Sequence, residues 1–473
     1  MLSTRLRFLG LSRTLASSLR RFATSTSGTN TSGGSATSGT AEEEPMDPCC
    51  DPNNPRVLTY EQVSIAKHRL KIRGVVHTDC RHSRHLSNMT GCDVYLKMEV
   101  NQDTGSFKER GGRYALMCLT EEEKKNGVFA ASAGNHAQAV AIAGKKLGIQ
   151  VTVVMPRHAP LMKISKCKEL GANVIVEGKD ISVSKALALR LAKQSGGKYI
   201  NGYDQIEVLA GAGTIAVEIF EQVDDVDAIL VPIGGGGLLA GTCVAAKALS
   251  PTTKVIGMEP EVMPSFLKSL EAGKPVLCPS NPTLADGLAV PLVGCNAFET
   301  AKNIIHKVIP VRETDIAVGI LRLLETEKAL RVQVVTEGAG AISAAALLAG
   351  NLPELSGKKV VCILSGGNID STMVGRCIEK GLAVDNRLIR FEVLISDRPG
   401  GMAELAKLVG DSGASIKDMM MERAFHRSDA FTVACRVIAE TRDEGHAYEL
   451  HETLKKRYGA DSTVCTFHGK IGG

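Results

Sequence analysis

The sequence predicts an α/β body built on parallel sheet, followed by a smaller α+β domain at the carboxyl terminus. First, short apolar runs typical of buried strands alternate with runs of helical period between residues 59 and 385. Such alternation implies parallel strands covered by helices on both faces. Second, beyond Leu388 the order of strands and helices changes. Third, glycine, serine and asparagine cluster where the predicted strands end, which is where open parallel sheets bind their ligands.

The elements of the body follow from its apolar periodicity. A helix is expected from about Thr59, because Val63, Ala66 and Leu70 share one side. Further helices are expected at 182–195, 214–222 and 238–250. Buried strands are expected at 128–131, 151–155, 173–176, 228–233, 255–257 and 360–364.

Residues 389–470 have the pattern of a ferredoxin-like domain. Strands are expected at 390–395, 414–419 and 430–437, with a last short strand near Thr463. Helices are expected at 402–412 and 446–458. The resulting β-α-β-β-α-β order is that of the ferredoxin-like fold.

The first 40 residues have the composition of a mitochondrial transit peptide. They contain five arginines, no lysine and no acidic residue, spread among leucine, serine and threonine. These arginines break the apolar core that a secretory signal would need, so the expected location is the mitochondrial matrix. They also account for the whole formal charge of +5, so the remaining chain is about neutral and gives no support for a nucleic-acid partner.

Residues 41–58 are polar and proline-rich, which predicts a disordered linker. No apolar run approaches the ~20 residues of a membrane-spanning helix, so no membrane partner is expected. The 13 cysteines are scattered without paired spacing, which favours reduced thiols over a disulfide framework or a metal centre.

Lys108 is the candidate catalytic residue. It lies between an alternating strand pattern at 93–99 and a helical run at 114–117, where a turn leads into a helix. Beside Gly105, Ser106 and Phe107 its amine would be partly desolvated, which lowers the pKa and favours the neutral nucleophile. A Schiff-base lysine requires this, whereas an isolated lysine at a helix start is usually a solvated charge.

Three other segments support a binding site. Residues 130–138 join a strand to a helix, so backbone N–H groups there could bind a substrate carboxylate, while Asn135 could reach a phenolic oxygen. Gly234 to Gly237 follow a buried strand and precede a helix, so unhindered N–H groups and the helix dipole favour a phosphate. Ser365 ends another buried strand and could bond a ring nitrogen, although such a serine is usually a turn residue.

Together these groups describe a site for pyridoxal phosphate. Four motifs resemble the threonine/serine dehydratases (threonine ammonia-lyases) of the tryptophan-synthase-β-like, fold type II class, in order between about residues 60 and 380: Ser106-Phe107-Lys108, Ser132-Ala133-Gly134-Asn135-His136, Gly234 to Leu238, and Ser365-Gly366-Gly367-Asn368. The resemblance implies a catalytic unit of two lobes at 59–385, with the cofactor between them, and a homo-oligomer.

The resemblance also implies roles for the site residues. Lys108 would form the Schiff base and then act as the base on the substrate Cα. The cofactor-binding residues would be Phe107, Asn135, Gly234, Gly235, Gly236, Gly237, Leu238 and Ser365. The substrate carboxylate would lie on Ser132, Ala133, Asn135 and His136. The reaction would be β-elimination of water from L-threonine or L-serine, giving 2-oxobutanoate or pyruvate and ammonia.

Two alternatives remain. Serine racemases share the lysine and the glycine loop, but they carry a second acid/base serine where this chain has Ala133. The cation site of the racemases is also incomplete in this chain: Glu259 is present, but Ser265 stands where a second carboxylate would be expected. The other alternative is an inactive amino-acid sensor.

The position of Glu337 is left open by the sequence. Its carboxylate either lies near the cofactor ring or merely favours a helix start, and the pattern does not decide between these.

Two motifs in the carboxyl-terminal domain, residues 397–401 and 421–425, resemble the ACT domain of one branch of threonine dehydratases. ACT domains typically bind amino acids at subunit interfaces, so an amino-acid effector is expected there. A domain used only for oligomerisation is the alternative.

Overall fold

The structure, a computed structural model, describes residues 46–72, 74–327, 335–423, 431–459 and 463–466. The expected transit peptide and residues 424–425 of the second carboxyl-terminal motif lie outside these ranges. The helices are α1 Tyr60–Ile72, α2 Arg84–Thr90, α3 Lys108–Met117, α4 Glu121–Asn126, α5 Asn135–Leu147, α6 Leu161–Glu169, α7 Ile181–Ser195, α8 Ile206–Gln222, α9 Gly237–Leu249, α10 Ser265–Ala272, α11 Cys295–Ala301, α12 Glu313–Thr326, α13 Gly338–Leu348, α14 Ser371–Val384, α15 Gly401–Asp411 and α16 Glu444–Tyr458. The strands are β1 Cys80–His82, β2 Asp93–Lys97, β3 Val128–Ala131, β4 Val151–Met155, β5 Asn173–Val176, β6 Lys198–Tyr199, β7 Ala228–Pro232, β8 Lys254–Pro260, β9 Lys307–Val311, β10 Lys359–Ile363, β11 Leu388–Ser396, β12 Ser415–Glu422, β13 Thr432–Glu440 and β14 Thr463–Thr466.

The larger lobe is a six-stranded sheet in the order β1-β2-β10-β7-β8-β9. The strands from β2 to β9 are parallel, and β1 is an antiparallel edge strand. Side chains alternate between the faces: Val231 and Val361 pack under α1, α8 and α9, whereas Leu230 and Cys362 pack under α12 and α13. The sheet is therefore buried on both sides, as the apolar strands predict.

The smaller lobe is a four-stranded parallel sheet in the order β5-β4-β3-β6. All five residues of β4 are buried, between a cluster that includes α5 and α6 and a cluster that includes α7. The α/β class with parallel sheets is thus confirmed. The carboxyl ends of the strands in both lobes lead into the cleft where the predicted motifs lie.

The carboxyl-terminal domain is an antiparallel sheet in the order β12-β13-β11-β14 with α15 and α16 on one face. This order is the one expected for a β-α-β-β-α-β unit. Arg387, directly before β11, contacts Glu325 at 2.7 Å, so an ion pair joins the start of the domain to the catalytic unit, in which Arg322 of α12 contacts Asp385 at 2.5 Å.

Three differences from the sequence-based expectations stand out. Helix α8 begins at Ile206 rather than 214. Gly211 in its second turn, which reads as a helix breaker in the sequence, allows the close approach of α3: a Cβ at Gly211 would lie 2.7 Å from the Cα of Gly111. Strands β1, β6 and β9 were not expected from the pattern; β1 and β6 have only three and two residues, too few for a periodicity. Residues 46–58, expected to be a disordered linker, lie against the catalytic unit, with Asp47 and Leu58 buried.

Over the described ranges, none of the helices combines the length and the apolar character that a bilayer crossing requires.

Candidate active site

Lys108 is the first residue of α3 and lies at the cleft between the lobes. Backbone hydrogen bonds fix the turn before it to the larger lobe. Phe107 N–H donates to Ser365 O at 2.9 Å, and Ser106 forms an antiparallel β-bridge with Gly366. The Lys108 ammonium donates to Gly202 O at 2.6 Å. Burial lowers the pKa of Lys108 to about 8, although the nearby Glu337 carboxylate acts in the opposite direction. The amine is therefore poised between its two protonation states near neutral pH.

Asn135, at the start of α5, is held by two partners from the other lobe. Its Nδ2 donates to Glu337 Oε1 at 2.7 Å, and its Oδ1 accepts from Asn368 Nδ2 at 2.8 Å. Asn368 in turn donates to Thr104 O at 2.7 Å. The amide therefore has one defined orientation at the cleft.

Glu337 lies directly before α13 but makes no side-chain capping bond there. Its carboxyl group instead faces Asn135 and Gly366, where a Cβ would lie 2.5 Å from Oε1. Burial raises the pKa of Glu337 to about 7, and the charge of Asp286 acts in the same direction. Of the two interpretations of Glu337, the structure thus favours the one that places it in the site.

The expected substrate loop, Ser132 to His136, follows β3 and leads into α5. Ser132 Oγ accepts from Gly134 N–H at 3.2 Å, and Ala133 packs beside the core of the smaller lobe. His136 is buried, and its Nε2 lies 3.0 Å from Ile200 O. Burial lowers the pKa of His136 to about 4, so its ring is neutral at physiological pH. Gly134 N–H is already used, so the N–H groups that this helix start can offer to a ligand, among the described residues, are those of Asn135 and His136.

The glycine run Gly234 to Gly237 connects β7 to α9. A Cβ at Gly235 would lie 2.2 Å from the ring of Tyr203, and one at Gly237 would lie 2.6 Å from Tyr203 O. Gly236 has φ +92°, a conformation that suits glycine. Within the described chain, the N–H groups of Gly234 to Leu238 donate to no other residue. Unhindered donors at the start of a 13-residue helix fit a phosphate group.

Ser365 follows β10 and is buried at the same edge of the sheet. Its hydroxyl donates to Ala339 O at 3.2 Å, so it would have to rotate to donate to a ring nitrogen. The structure brings the turn at Phe107 and Lys108 next to Ser365 and, through Gly202 and Tyr203, next to the glycine run. Phe107, Lys108, the glycine run and Ser365 therefore lie around one cleft.

The segment Asn201 to Asp204 belongs to the site but was not expected from the sequence. It follows the two-residue strand β6, and it links Lys108, His136 and the glycine run. The available signal was the cluster Asn-Gly-Tyr-Asp, which resembles the other strand ends, but β6 was too short to be recognised as a strand. Asn368 belongs to a motif recognised in the sequence, but its role in orienting Asn135 was not expected.

Glu259 does not lie in a ring of carboxylates. Its oxygens accept from Phe266 N–H at 2.7 Å and Leu267 N–H at 3.0 Å, with Ser265 Oγ at 3.5 Å. Burial raises the pKa of Glu259 to about 7. Within the described ranges, no three Asp, Glu, His or Cys side chains converge as a metal centre. Glu259 thus supports the first turn of α10.

Comparisons with known proteins agree with this geometry. A family model described as "Pyridoxal-phosphate dependent enzyme" matches residues 72–366. The L-threonine ammonia-lyase of Thermotoga maritima is 43% identical over 84% of this chain and 97% of its own length. The catabolic L-threonine dehydratase TdcB of Escherichia coli K12 is 39% identical over 67% of this chain and 95% of its own length.

Among solved structures, the processed threonine deaminase isoform 2 of Solanum lycopersicum has a TM-score of 0.64 and 32% identity over 69% of this chain and 95% of that chain. Maize serine racemase gives the same TM-score and identity over 69% of this chain and 98% of that one. The cleft and these similarities together show that the chain belongs to the pyridoxal-phosphate dependent enzyme family, among its threonine ammonia-lyase members.

Proposed function

We propose that the protein deaminates L-threonine and L-serine by β-elimination of water, releasing 2-oxobutanoate or pyruvate and ammonia. The observation that carries this proposal is the position of Lys108, a desolvated amine between a carboxylate-binding loop and a glycine run suited to phosphate. The names of the relatives, L-threonine ammonia-lyase and threonine deaminase, support the same reaction.

The cofactor is pyridoxal phosphate, which withdraws electrons from the bound substrate and so makes its Cα–H bond acidic. In the proposed arrangement, Gly234 to Leu238 hold the phosphate with backbone N–H groups. Asn135 binds the phenolic oxygen, Ser365 binds the ring nitrogen, and Phe107 flanks the ring. A serine hydroxyl would not protonate a ring nitrogen as a carboxylic acid would, so the ring would withdraw electrons less strongly.

Lys108 acts as the general base. With a pKa of about 8, a fraction of its amine is neutral at pH 7 and can take the Cα proton at Nζ. Gly202 O, which lies 2.6 Å from that nitrogen, orients the amine. The substrate carboxylate lies on the N–H groups of the Ser132 to His136 loop, and the neutral His136 adds no charge there.

Serine racemisation is the second candidate, because maize serine racemase has the same fold at 32% identity. Racemisation requires an acid/base on the opposite face of the substrate from Lys108. The resemblance places that role on a serine at the position of Ala133, whose methyl group transfers no proton. This difference supports elimination as the main reaction.

The test is the release of 2-oxo acid from L-threonine and L-serine by the chain lacking residues 1–40. Oxo acid formed by the parent and absent with Lys108→Ala is the expected result. Lys145→Ala, which removes an exposed lysine of α5, is the matched control and should retain activity. If the parent binds pyridoxal phosphate but forms no oxo acid, the lyase is wrong and D-serine formation is the next assay.

We also propose that the carboxyl-terminal domain binds an amino-acid effector in a homo-oligomer. Its ferredoxin-like order supports this, and Arg387 joins the start of the domain to Glu325 of the catalytic unit. The Escherichia coli dehydratase matches only 67% of this chain over nearly its full length, so the catalytic unit occurs in a shorter relative. Light scattering would report the oligomer, and a concentration-dependent change of turnover with added amino acids would report the effector.

We propose the mitochondrial matrix as the location. Five arginines without acidic residues in the first 40 positions support it. A fluorescent protein fused to residues 1–45 should enter mitochondria, whereas the same fusion with the five arginines replaced by glutamine should stay in the cytosol.

A further inference from the structure

Residues 47–58, here called the amino-terminal strap, run along the larger lobe before α1. We propose that this strap positions the glycine run, so that retention of pyridoxal phosphate depends on it. The proposal rests on the proposed function in one respect, namely that Gly234 to Leu238 hold the cofactor phosphate.

One end of the strap is bound to the turn after β6. Asn201 Nδ2 donates to Asp47 Oδ2 at 2.8 Å, and Asp47 is only 5% exposed. The same amide uses Oδ1 to accept the N–H groups of Tyr203 and Asp204, each at 3.0 Å. Asn201 therefore connects the strap directly to the turn that carries Tyr203.

The rest of the strap is bound to the start of α11. Asn296, which is fully buried, accepts from Arg56 N–H at 2.7 Å and donates to Cys49 O at 2.9 Å. It also donates to Asp204 O at 2.8 Å, and Leu58 N–H donates to Thr300 Oγ1 at 3.1 Å. One buried amide thus joins the strap, α11 and the turn after β6.

Asp204 connects the turn after β6 to the start of α11. Its two carboxylate oxygens accept the N–H groups of Cys295 and Ala297, both at 2.9 Å. The turn at 201–204 and the start of α11 are therefore one hydrogen-bonded unit, and the strap covers it.

This unit is in direct contact with the glycine run. Gly294 N–H donates to Gly235 O at 3.0 Å, and the ring of Tyr203 occupies the space beside Gly235. A shift of either element would turn the N–H groups of the run away from a common point. Removing the strap takes Asp47 away from Asn201 Nδ2, and it takes Arg56 N–H and Cys49 O away from Asn296; an amide group left unpaired in this way is costly enough to cause such a shift.

A consequence concerns processing of the amino terminus. If a protease removes the first residues of the chain, a cut before Asp47 would keep the partner of Asn201, whereas a later cut would remove it.

The test compares affinity for pyridoxal phosphate in variants of the full chain. Cofactor-free protein is titrated with pyridoxal phosphate and followed by its absorbance. Asp47→Ala is expected to weaken binding about tenfold, the effect of losing one buried hydrogen bond to a charged group. Asp47→Asn keeps an oxygen acceptor and should restore most of the affinity. Asp51→Ala is the matched control, because among the described residues the Asp51 side chain bonds only Asn53 of the same segment.

A second comparison uses chains that begin at residue 46 and at residue 57. The first should bind the cofactor like the full chain, and the second should bind it at least tenfold more weakly. Unfolding temperature, measured without cofactor, separates a loss of binding from a loss of the fold. Unchanged affinity in Asp47→Ala would overturn the role of the strap, whether or not the shorter chain folds. If the parent chain itself bound no pyridoxal phosphate, the proposed function would fail instead.

Discussion

At the scale of single residues, burial shifts an amine and a carboxyl group towards their neutral forms in the same cleft. The pKa of Lys108 falls to about 8 and that of Glu337 rises to about 7, in both cases mainly because desolvation disfavours the charged form. Titratable groups perturbed in this way are typical of catalytic sites.

Glu337→Gln should change how stability depends on pH. The folded pKa of Glu337 lies above its unfolded value, so its contribution to stability is present at low pH and is lost as pH rises through about 7. Between pH 5 and 7 the parent should therefore lose free energy of unfolding relative to the variant, by at most about 1.4 kcal/mol per pH unit.

Urea unfolding of both cofactor-free proteins at pH 5, 6 and 7 measures this difference. Glu122→Gln, at an exposed position of α4, is the control and should follow the parent. Parallel curves for the parent and Glu337→Gln would contradict a buried carboxyl group that is protonated at low pH.

At the scale of elements, three helices begin at the cleft. Helices α3, α5 and α9 start at Lys108, Asn135 and Gly237, and each follows a turn at the end of a strand or next to one. Helix starts present N–H groups and a positive dipole end, so their convergence favours a ligand that carries a carboxylate and a phosphate. The placement of the helices therefore contributes as much to the site as the identities of its side chains.

Gly235→Ala should weaken binding of pyridoxal phosphate and destabilise the fold by about 1–3 kcal/mol, because its Cβ would overlap the ring of Tyr203. Gly375→Ala is the matched control in the exposed interior of α14, where an added Cβ meets no atom within 4 Å. It should stabilise the protein by about 0.5–1 kcal/mol. Cofactor titration measures the affinity of both variants for pyridoxal phosphate, and urea unfolding measures their free energies of unfolding. Equal affinities and equal free energies for the two variants would argue against a tight contact at Gly235.

At the scale of the whole molecule, buried charges join α3 to the central sheet and to α8. The Arg110 guanidinium contacts Glu99 of the segment after β2 and Glu218 of α8, each at 2.7 Å. Lys97 at the end of β2 contacts Glu218 at 2.8 Å. All four side chains are nearly inaccessible to solvent, so each charge needs its partner. This network holds the helix that begins with Lys108.

Arg110→Ala should lower the free energy of unfolding by about 3–5 kcal/mol, because it leaves two buried carboxylates without their main partner. Arg157→Ala is the control: its ion pair with Glu177 is exposed, and such pairs contribute about 0–1 kcal/mol. Denaturant unfolding of the two variants measures the contrast. A small loss for Arg110→Ala would mean that the carboxylates find other partners.

Local pattern was enough to predict much of this molecule. The strands at 128–131, 151–155 and 173–176 occur at the predicted residues, because apolar runs bounded by turn residues encode buried strands directly. The motifs around Lys108, Asn135, Gly234 and Ser365 were recognisable because each combines special residue types over a few adjacent positions.

What the sequence by itself determined was therefore the α/β class, the order of strands and helices in the carboxyl-terminal domain, and the motifs around Lys108, Asn135, Gly234 and Ser365. Only the tertiary structure decided the partners of those residues: Asn135 and Glu337 are 202 positions apart, and the strap reaches Asn296 from 240 positions away. The proline and polar residues at 47–58 predicted disorder, because local composition does not show that Asn201 and Asn296 bind this segment in the folded chain. Contacts between distant segments depend on how the whole chain packs, and the apolar periodicity of a single helix or strand contains no information about them.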